Sequence, residues 1–183
     1  LHLLYSRFFF ILLYDEKLVG TKEPFQKLIS VATILGIDGQ KMSKSRGNTI
    51  DPDPLLKKFG SDALKMYELY IGPFSQMAKW NQNGIVGMHR FLTKVEKLTT
   101  LEIAEVNEKN LVPINKAIKK VTEDIESFSF NTAISTLIET YDQISTEGWD
   151  KNSIKVFLTL LSPFAPKTVA GVLGALNTPV DSW

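Results

Sequence analysis

The sequence of 183 residues contains no cysteine and only two histidines. The absence of cysteine excludes disulfides, thiolate nucleophiles and cysteine-ligated zinc sites. The two histidines, His2 and His89, stand alone in the sequence. The sequence therefore predicts no metal ion bound by this chain itself.

A strong net charge and a long apolar run are also absent. The formal net charge is +1, so any surface that binds nucleic acid has to be a local patch. The apolar run at residues 3–14 is interrupted by Ser6 and Arg7, and it is shorter than the ~20 residues of a membrane-spanning helix. It also lacks the basic leader and cleavage site of a signal peptide. We therefore expect no membrane association. Because the chain opens inside a helix at Leu1, we also expect it to be part of a longer protein.

Hydrophobic and charged residues are present in ordinary proportions, 44% and 22%, as in a soluble globular protein. The length allows one large or two small domains. Residues 1–15 predict a helix that is apolar on nearly all sides, which indicates burial against a sheet or other helices. If those partners are missing, the apolar surface of residues 1–37 is expected to be uncovered.

A small strand and turn are predicted next. Residues 31–37 are rich in β-branched side chains, which favour a strand. Asp38-Gly39 is typical of a two-residue hairpin turn, because both positions tolerate positive φ. We therefore expect a strand, a tight turn and a short return strand, which together present the lysine-rich stretch that follows.

Residues 51–73 predict two short connector helices. Asp51, with prolines close behind it, is a typical helix N-cap. Gly60 is expected to end this first helix, and Ser61 to cap the second. Gly72-Pro73 then predicts the end of the second helix.

The remainder of the chain predicts a helical bundle. Apolar residues recur at helical spacing in five segments. These run over about 81–103, 113–127, 131 to Gly148, 153–162 with Ser153 as the cap, and 166–176. Amphipathic helices with short connections favour an antiparallel bundle. We place the domain boundary between residues 75 and 80, so that residues 1–77 and 78–183 form the two parts.

The most informative stretch is residues 41–48, with the sequence KMSKSRGN, here called the lysine loop. Two lysines on a flexible loop carry positive charge on long stems, which suits phosphate. When a nucleotide is activated, a cation that closes over the α-phosphate and leaving pyrophosphate stabilises the transition state more than the ground state. Gly47 allows the loop to change shape, while Ser43 and Ser45 are placed to fix it through local hydrogen bonds. The plainer alternative is a solvated basic turn, which the full pentamer KMSKS and its flanks disfavour.

Those flanks, together with the pentamer, resemble bacterial-type members of the leucyl-tRNA synthetase family, which belongs to the class I aminoacyl-tRNA synthetases. The segments that carry the resemblance are HLLYSRF (2–8), TKEPFQKL (21–28), ILG and DG before the loop (34–39), YE, GPF and W (67–80), RFL (90–92), FNTAI (130–134) and LSPFAP (161–166). Isoleucyl, valyl and methionyl relatives share the loop but not this combination. Beyond residue 166 the likeness ends, since Lys167 stands where the family usually has histidine. The helix through Gly171 and Gly174 is unusually small in side chains, which leaves its packing open.

The resemblance implies an activity and an architecture. Leucine and ATP give leucyl-adenylate and pyrophosphate, and leucine then passes to tRNA(Leu). The chain is expected to be mainly α: the end of a Rossmann-type catalytic domain, followed by the antiparallel bundle called the anticodon-binding domain. The intact enzyme is expected to be a cytoplasmic monomer that uses ATP with Mg2+. Because the His-Ile-Gly-His motif and the editing domain are missing, this chain alone is expected to be inactive.

The resemblance also implies roles for individual residues of the lysine loop. Lys44 matches the lysine that binds ATP and the transition state, and Lys41 matches the supporting first lysine. Met42 lies where the family's loop lines the adenine side, and Ser43 and Ser45 complete the ATP-binding set. Outside the loop, His2 matches a histidine near the leucine pocket, although a helix residue without such a role is an equal alternative.

Arg90, Lys94 and Lys97 fall at helical spacing on one face and are candidates for contacts with tRNA phosphates. A solvated face is the interpretation that we favour for these three residues. Lys119 and Lys120 are followed four positions later by Glu123 and Asp124, which indicates pairs within one helix.

Aromatic residues surround the predicted domain junction. Trp80 has polar neighbours and is a candidate for base stacking, but an anchor at the junction is favoured. Tyr67, Tyr70 and Phe74 are interpreted as core residues.

Two alternatives to a leucyl-tRNA synthetase remain open on the sequence alone. One is part of another class I synthetase of the branched-chain group. The other is a stand-alone helical RNA-binding module.

Overall fold

The structure, a computed structural model, describes residues 1–101 and 103–176. The chain divides into two compact units, Leu1–Val31 and a larger unit that begins at Ala32.

The smaller unit consists of one helix and an extended segment. Helix α1 spans His2–Asp15, as predicted, and Arg7 forms an exposed ion pair with Glu23 at 2.7 Å. No residue of α1 is buried, so the expected burial of this helix is wrong for the chain described here. Leu4 and Phe8 are 73% and 65% exposed, because this unit contains no second layer that could cover the apolar helix. The expectation of uncovered apolar surface is therefore confirmed.

The larger unit opens with two very short parallel strands. Strand β1, Ile34–Leu35, pairs with β2, Ala78–Lys79, so the predicted strand at residues 31–37 is reduced to two residues. The return strand is a single antiparallel bridge between Leu35 and Lys41.

The turn after β1 contains three residues between the hydrogen-bonded Gly36 and Gln40, and the predicted two-residue turn is wrong. The amide of Gly36 donates to the carbonyl of Gln40 at 2.8 Å, which encloses residues 37–39. The side chain of Asp38 folds back to accept from the amide of Gln40, a local bond typical of aspartate in turns. Gly39 adopts φ 76°, which glycine accommodates without strain.

Helix α2, Pro52–Tyr70, is two predicted connector helices joined at a kink. Asp51 caps it by accepting from the amide of Asp53 at 3.0 Å. Gly60 breaks the helix with φ 81° and ψ 163°, as predicted. Ser61 does not cap the second half, because its hydroxyl is buried without a hydrogen-bond partner.

Five further helices follow, close to the predicted segments. They are α3 (Gln82–Glu96), α4 (Leu111–Glu126), α5 (Phe130–Glu147), α6 (Lys151–Leu161) and α7 (Pro166–Ala175). Short 3₁₀ turns at Lys97–Thr100 and Glu108–Asn110 flank the connection from α3 to α4. The cap of α6 is Asp150, not Ser153, because Ser153 is the third helical residue and completes a capping box with Asp150.

One continuous hydrophobic core joins these helices. Helix α4 packs on α5, α2 packs on α3 and α5, and α7 packs on α3, α2 and α6. The sequence left open whether α7, with its small side chains, packs on the other helices. It does, because Val169, Val172 and Leu173 of α7 are buried. None of the helices in the described residues is long and apolar enough to cross a membrane.

The junction aromatics differ in burial. Tyr67 is buried as predicted, and half-buried Phe74 stacks edge-on against Phe130 with ring centroids 5.1 Å apart. Tyr70 is 39% exposed and is not a core residue, because it lies in the last turn of α2.

Candidate functional site

The lysine loop leaves β1 through the three-residue turn and returns through a tight 3₁₀ turn. This turn spans Lys44–Arg46. The amide of Arg46 donates to the carbonyl of Ser43 at 3.1 Å, and the amide of Gly47 donates to the carbonyl of Lys44 at 3.2 Å. Gly47 adopts the left-handed conformation with φ 67°. This reversal directs the next residue, Asn48, back toward the start of the loop.

The side chain of Asn48 binds the loop from the inside. Its Oδ1 accepts from the amide of Ser43 at 2.8 Å. Its Nδ2 donates to Oδ2 of Asp38 at 2.9 Å and to the carbonyl of Lys41 at 3.3 Å. One amide group therefore joins the turn, the first lysine and the serine that follows.

Asp38 is the anionic partner in this arrangement. The amide of Gln40 and the side chain of Asn48 donate to its carboxylate, and together with the nearby charge of Arg46 they hold the pKa of Asp38 below its ordinary value. Asp38 is therefore ionised at neutral pH and accepts both hydrogen bonds.

Gly36 allows this close packing. A Cβ at this position would lie 2.8 Å from Oδ1 of Asp38 and 3.1 Å from the backbone oxygen of Asn48. Any larger residue would have to displace one of these groups. The base of the loop is thus built from a glycine, an aspartate and an asparagine.

The lysines of the loop are available to a ligand. Lys41 and Lys44 are exposed, and within residues 1–101 and 103–176 neither forms an ion pair or a side-chain hydrogen bond. Arg46 is exposed as well. Positive charge is therefore concentrated on a loop whose base is fixed.

The serines and Met42 support the loop. The hydroxyls of Ser43 and Ser45 lie 2.8 Å apart and share a hydrogen bond, which confirms the expected local bonding. Met42 is half-buried and packs against the core. It lines a cavity of about 230 Å³ beneath the loop together with Trp80 and Glu68, and burial raises the pKa of Glu68.

Trp80 anchors the junction between the loop and the helices. It is 5% exposed, and its ring meets Tyr67 edge-on at 4.9 Å. The backbone amide of Trp80 donates to the carbonyl of Leu35 at 3.0 Å. A base cannot stack on a ring buried in this way, so the anchor is the interpretation that fits.

The remaining candidates lie elsewhere. The ring of His2, in the smaller unit, lies 6.5 Å from that of Phe25 and is exposed. Arg90, Lys94 and Lys97 are all exposed, and Lys94 pairs with Asp142 across to α5 at 3.2 Å.

Two lysines of α4 pair within their own helix. Lys119 pairs with Glu123 and Lys120 with Asp124, which confirms the predicted intrahelical pairs. In the described part of the chain, no group of three or more histidine, cysteine or acidic side chains is placed to hold a metal ion.

Sequence reasoning missed Gly36, Asp38 and Asn48 as parts of the site. The sequence pattern marks Asp38 only as a turn residue and Asn48 only as the end of the loop. The available signal was an aspartate in the turn before the loop and an asparagine directly after Gly47, whose left-handed conformation turns the chain back.

Comparison with known proteins places the loop in a family. The family model described as "tRNA synthetases class I (I, L, M and V)" matches residues 6–81. A leucine--tRNA ligase of Chlorobaculum tepidum is 47% identical over 186 residues, covering 97% of this chain and 23% of its own length. The leucine--tRNA ligase of Alkaliphilus oremlandii is 44% identical over 169 residues, which cover 91% of this chain and 21% of the relative's length.

Solved structures show the same likeness. One similar structure is a LeuRS of Agrobacterium radiobacter K84 in a ternary complex with tRNA and LeuAMS. The match covers 100% of this chain and 26% of the LeuRS chain, with 27% identity and a TM-score of 0.79. The methionyl-tRNA synthetase of Mycobacterium tuberculosis matches 78% of this chain and 37% of its own, with a TM-score of 0.60. Its 16% identity makes this second match a likeness of fold alone.

The matched residues and the fold are those of class I tRNA synthetases. The leucine-specific relatives match nearly the whole chain at 44–47% identity. The chain belongs to the leucyl-tRNA synthetase family. It spans about a quarter of the length of the curated relatives it matches, 23% of the first. Neither another branched-chain synthetase nor a stand-alone RNA-binding module is favoured by these relatives.

Proposed function

We propose that this chain provides the lysine loop and the tRNA-side helices of an enzyme that activates leucine with ATP and transfers it to tRNA(Leu). The observation that carries the proposal is the pair of exposed lysines, Lys41 and Lys44, on a loop whose base is held by Asn48. Within the described residues neither lysine forms an ion pair. The relative from Agrobacterium radiobacter, solved with tRNA and LeuAMS, supports the same reaction.

In this proposal Lys44 is the catalytic cation. It closes over the α-phosphate and pyrophosphate as negative charge shifts onto them, which lowers the barrier more than it strengthens ground-state binding. Lys41 assists from the first position of the loop. Ser43 and Ser45, with their hydroxyls joined, hold the ATP-binding turn in shape, and Met42 lines the adenine side.

The proposed domains follow the predicted boundary. Residues 1–77 form the end of a Rossmann-type catalytic domain with the lysine loop and connector, and His2 lies near the leucine pocket. The second part, of which the structure describes residues 78–101 and 103–176, forms an antiparallel bundle of the anticodon-binding type. The intact enzyme acts as a cytoplasmic monomer and takes ATP as its Mg2+ complex.

Arg90, Lys94 and Lys97 are the proposed contacts with tRNA phosphates. Lys94 is the weakest of these candidates, because binding phosphate would compete with its ion pair to Asp142. Arg90 and Lys97 are exposed, and within the described part of the chain neither forms an ion pair that would compete with phosphate.

The test is ATP–pyrophosphate exchange by the full-length synthetase that contains this chain. Lys44→Ala is expected to lower kcat by about 10²–10³-fold, as loss of one group that stabilises transition-state charge does. Lys116→Ala, on an exposed position of α4, serves as the matched control and is expected to leave exchange unchanged. Unchanged exchange in Lys44→Ala would refute the proposal. The isolated 183-residue chain is expected to show no exchange.

A further inference from the structure

We infer that Asn48 and Asp38 are positioning residues for the lysine loop, acting as a clamp that sets where Lys44 stands. By clamp we mean these two side chains and the four hydrogen bonds that they form at the base of the loop. The inference rests on the proposed function, because it concerns how the proposed catalytic lysine is placed.

Asn48 reaches two points on the backbone of the loop. Its amide group bonds the carbonyl of Lys41 on one side and the amide of Ser43 on the other, at 3.3 and 2.8 Å. The backbone entering the loop is therefore fixed at two points by a single side chain. Lys44 is the next residue after the second of these points.

The orientation of that amide group is fixed as well. Asparagine can be turned over, which exchanges its donor and its acceptor. Asp38 removes this freedom, because an ionised carboxylate accepts hydrogen bonds but cannot donate them. With Nδ2 of Asn48 held toward Asp38 at 2.9 Å, Oδ1 must face the amide of Ser43. The second carboxylate oxygen accepts from the amide of Gln40 at 3.0 Å.

The clamp is joined to the helices. Lys41 forms an antiparallel β-bridge with Leu35. Leu35 also pairs with Lys79 of β2, and its carbonyl accepts a hydrogen bond from the amide of Trp80. The buried ring of Trp80 lies in the core. A chain of backbone and side-chain bonds therefore runs from the core to the base of the loop.

The tip of the loop has no comparable support. Beyond the bond between the hydroxyls of Ser43 and Ser45 and the backbone bonds of its own turn, the described residues provide no further hydrogen bond to it. A fixed base with an exposed tip allows the lysine to move over a nucleotide from a constant starting point. Losing the clamp would leave the same lysine in a wider range of positions.

This arrangement predicts a change in catalytic rate, with leucine binding unaffected. A misplacement of a catalytic group by about 1 Å can cost on the order of 10²-fold in rate. Asn48→Ala in the full-length synthetase is therefore expected to lower kcat of ATP–pyrophosphate exchange by about 10- to 100-fold. The KM for leucine should stay within about twofold, since the mutation removes an interaction that matters in the transition state.

Exchanging the amide and the carboxylate between positions 48 and 38 tests the pair itself. Asn48→Asp places two carboxylates against each other and should lower kcat as Asn48→Ala does. Combining it with Asp38→Asn restores a donor opposite an acceptor, and three of the four bonds of the clamp can form again. The double variant is expected to recover about tenfold in kcat over Asn48→Asp, because substitutions at two residues in direct contact are not additive.

The controls separate positioning from folding. Asn115→Ala removes an exposed asparagine whose side chain donates to the carbonyl of Leu111 within α4, and it should leave kcat unchanged. In the 183-residue chain, hydrogen exchange of the Ser43 amide should be faster in Asn48→Ala than in Lys44→Ala, while the melting temperatures of the two variants agree.

Each other outcome has a defined meaning. If Lys44→Ala abolishes exchange and Asn48→Ala leaves kcat intact, the clamp is wrong and the proposed function stands. If Lys44→Ala also leaves exchange intact, the proposed function fails. A swap that recovers no activity, or an Asn48→Ala effect that appears equally in the melting temperature and in the KM for leucine, assigns Asn48 a structural role only and overturns the inference.

Discussion

Oδ2 of Asp62 accepts a hydrogen bond from the backbone amide of Thr168 at 2.8 Å. The two residues are 106 positions apart, and Asp62 is buried. Helix α7 has Ala165 at its N-cap, which offers no side-chain acceptor. Asp62 of α2 therefore supplies the cap that α7 lacks, and its negative charge lies where the helix dipole favours it.

Replacing this distant cap should destabilise the helical unit. Asp62→Ala leaves the amide of Thr168 unpaired, and the loss of a helix cap costs about 0.5–2 kcal/mol. Urea unfolding of the 183-residue chain measures the difference. Glu139→Ala, on the exposed face of α5, is the control and should change the free energy of unfolding by less than about 0.5 kcal/mol. Equal effects of the two substitutions would contradict the role of Asp62.

The cap of α6 should make stability depend on pH. Burial alone would raise the pKa of Asp150, but the hydrogen bonds from Asn110, Ser153 and Asn152 outweigh burial and hold it below its ordinary value. Since the pKa is lower in the folded chain than in the unfolded one, ionised Asp150 stabilises the fold fully above the unfolded pKa of about 3.9. That contribution is lost as the pH falls through the folded pKa.

Asp150→Asn tests this dependence. The difference in free energy of unfolding between the native chain and the variant should be largest near neutral pH and should shrink as the solution is acidified below about pH 4. Asp142→Asn, at an exposed ion pair, should show a smaller difference at neutral pH. A difference for Asp150→Asn that is independent of pH would show that its ionised form does not stabilise the fold.

The periodic features of this fold were predictable from the sequence. Helical spacing gave the five bundle helices, and Asp51 and Gly60 marked the start and the break of α2 as the structure has them. The residue types of the lysine loop indicated its chemistry. These signals are local, because each depends on residues within one or two turns of the chain.

The features that depend on distant partners could not be predicted. The contact between Asp62 and Thr168 needs the packing of α7 on α2, which no local pattern encodes. Trp80 stands among polar neighbours in the sequence, yet its ring is buried because Tyr67 from the preceding helix covers it. The burial expected of α1 failed for the same reason, since its apolar pattern says nothing about whether a partner is present.

Two glycines of α3 should respond to alanine in opposite directions. A Cβ at Gly84 would lie 2.2 Å from Cε2 of Tyr67, whose hydroxyl accepts from the amide of Asn81 at 2.7 Å. Gly84→Ala must displace this ring, and such overpacking costs about 1–3 kcal/mol. At Gly87 a Cβ meets nothing within 4 Å, so Gly87→Ala should stabilise the helix by about 0.5–1 kcal/mol.

Thermal unfolding of the two variants tests this contrast within one helix. The melting temperature should fall for Gly84→Ala and rise for Gly87→Ala. A rise for both would mean that Tyr67 moves aside without loss, and its contact with Trp80 would then not fix the junction.

The basic face formed by Arg90 and Lys94 of α3 and by Lys97 of the following 3₁₀ turn provides a test of the proposed tRNA contacts. Each phosphate contact contributes about 0.9 to the slope of log binding constant against log salt for duplex nucleic acid. If Arg90 and Lys97 contact phosphates in the full-length synthetase, replacing either with alanine should weaken tRNA binding and reduce the slope by about one. Lys94→Ala should have a smaller effect, because this lysine already pairs with Asp142. Lys120, paired with buried Asp124, is the control whose replacement by alanine should leave the slope unchanged. If all four variants keep the native slope, this face of α3 is simply solvated.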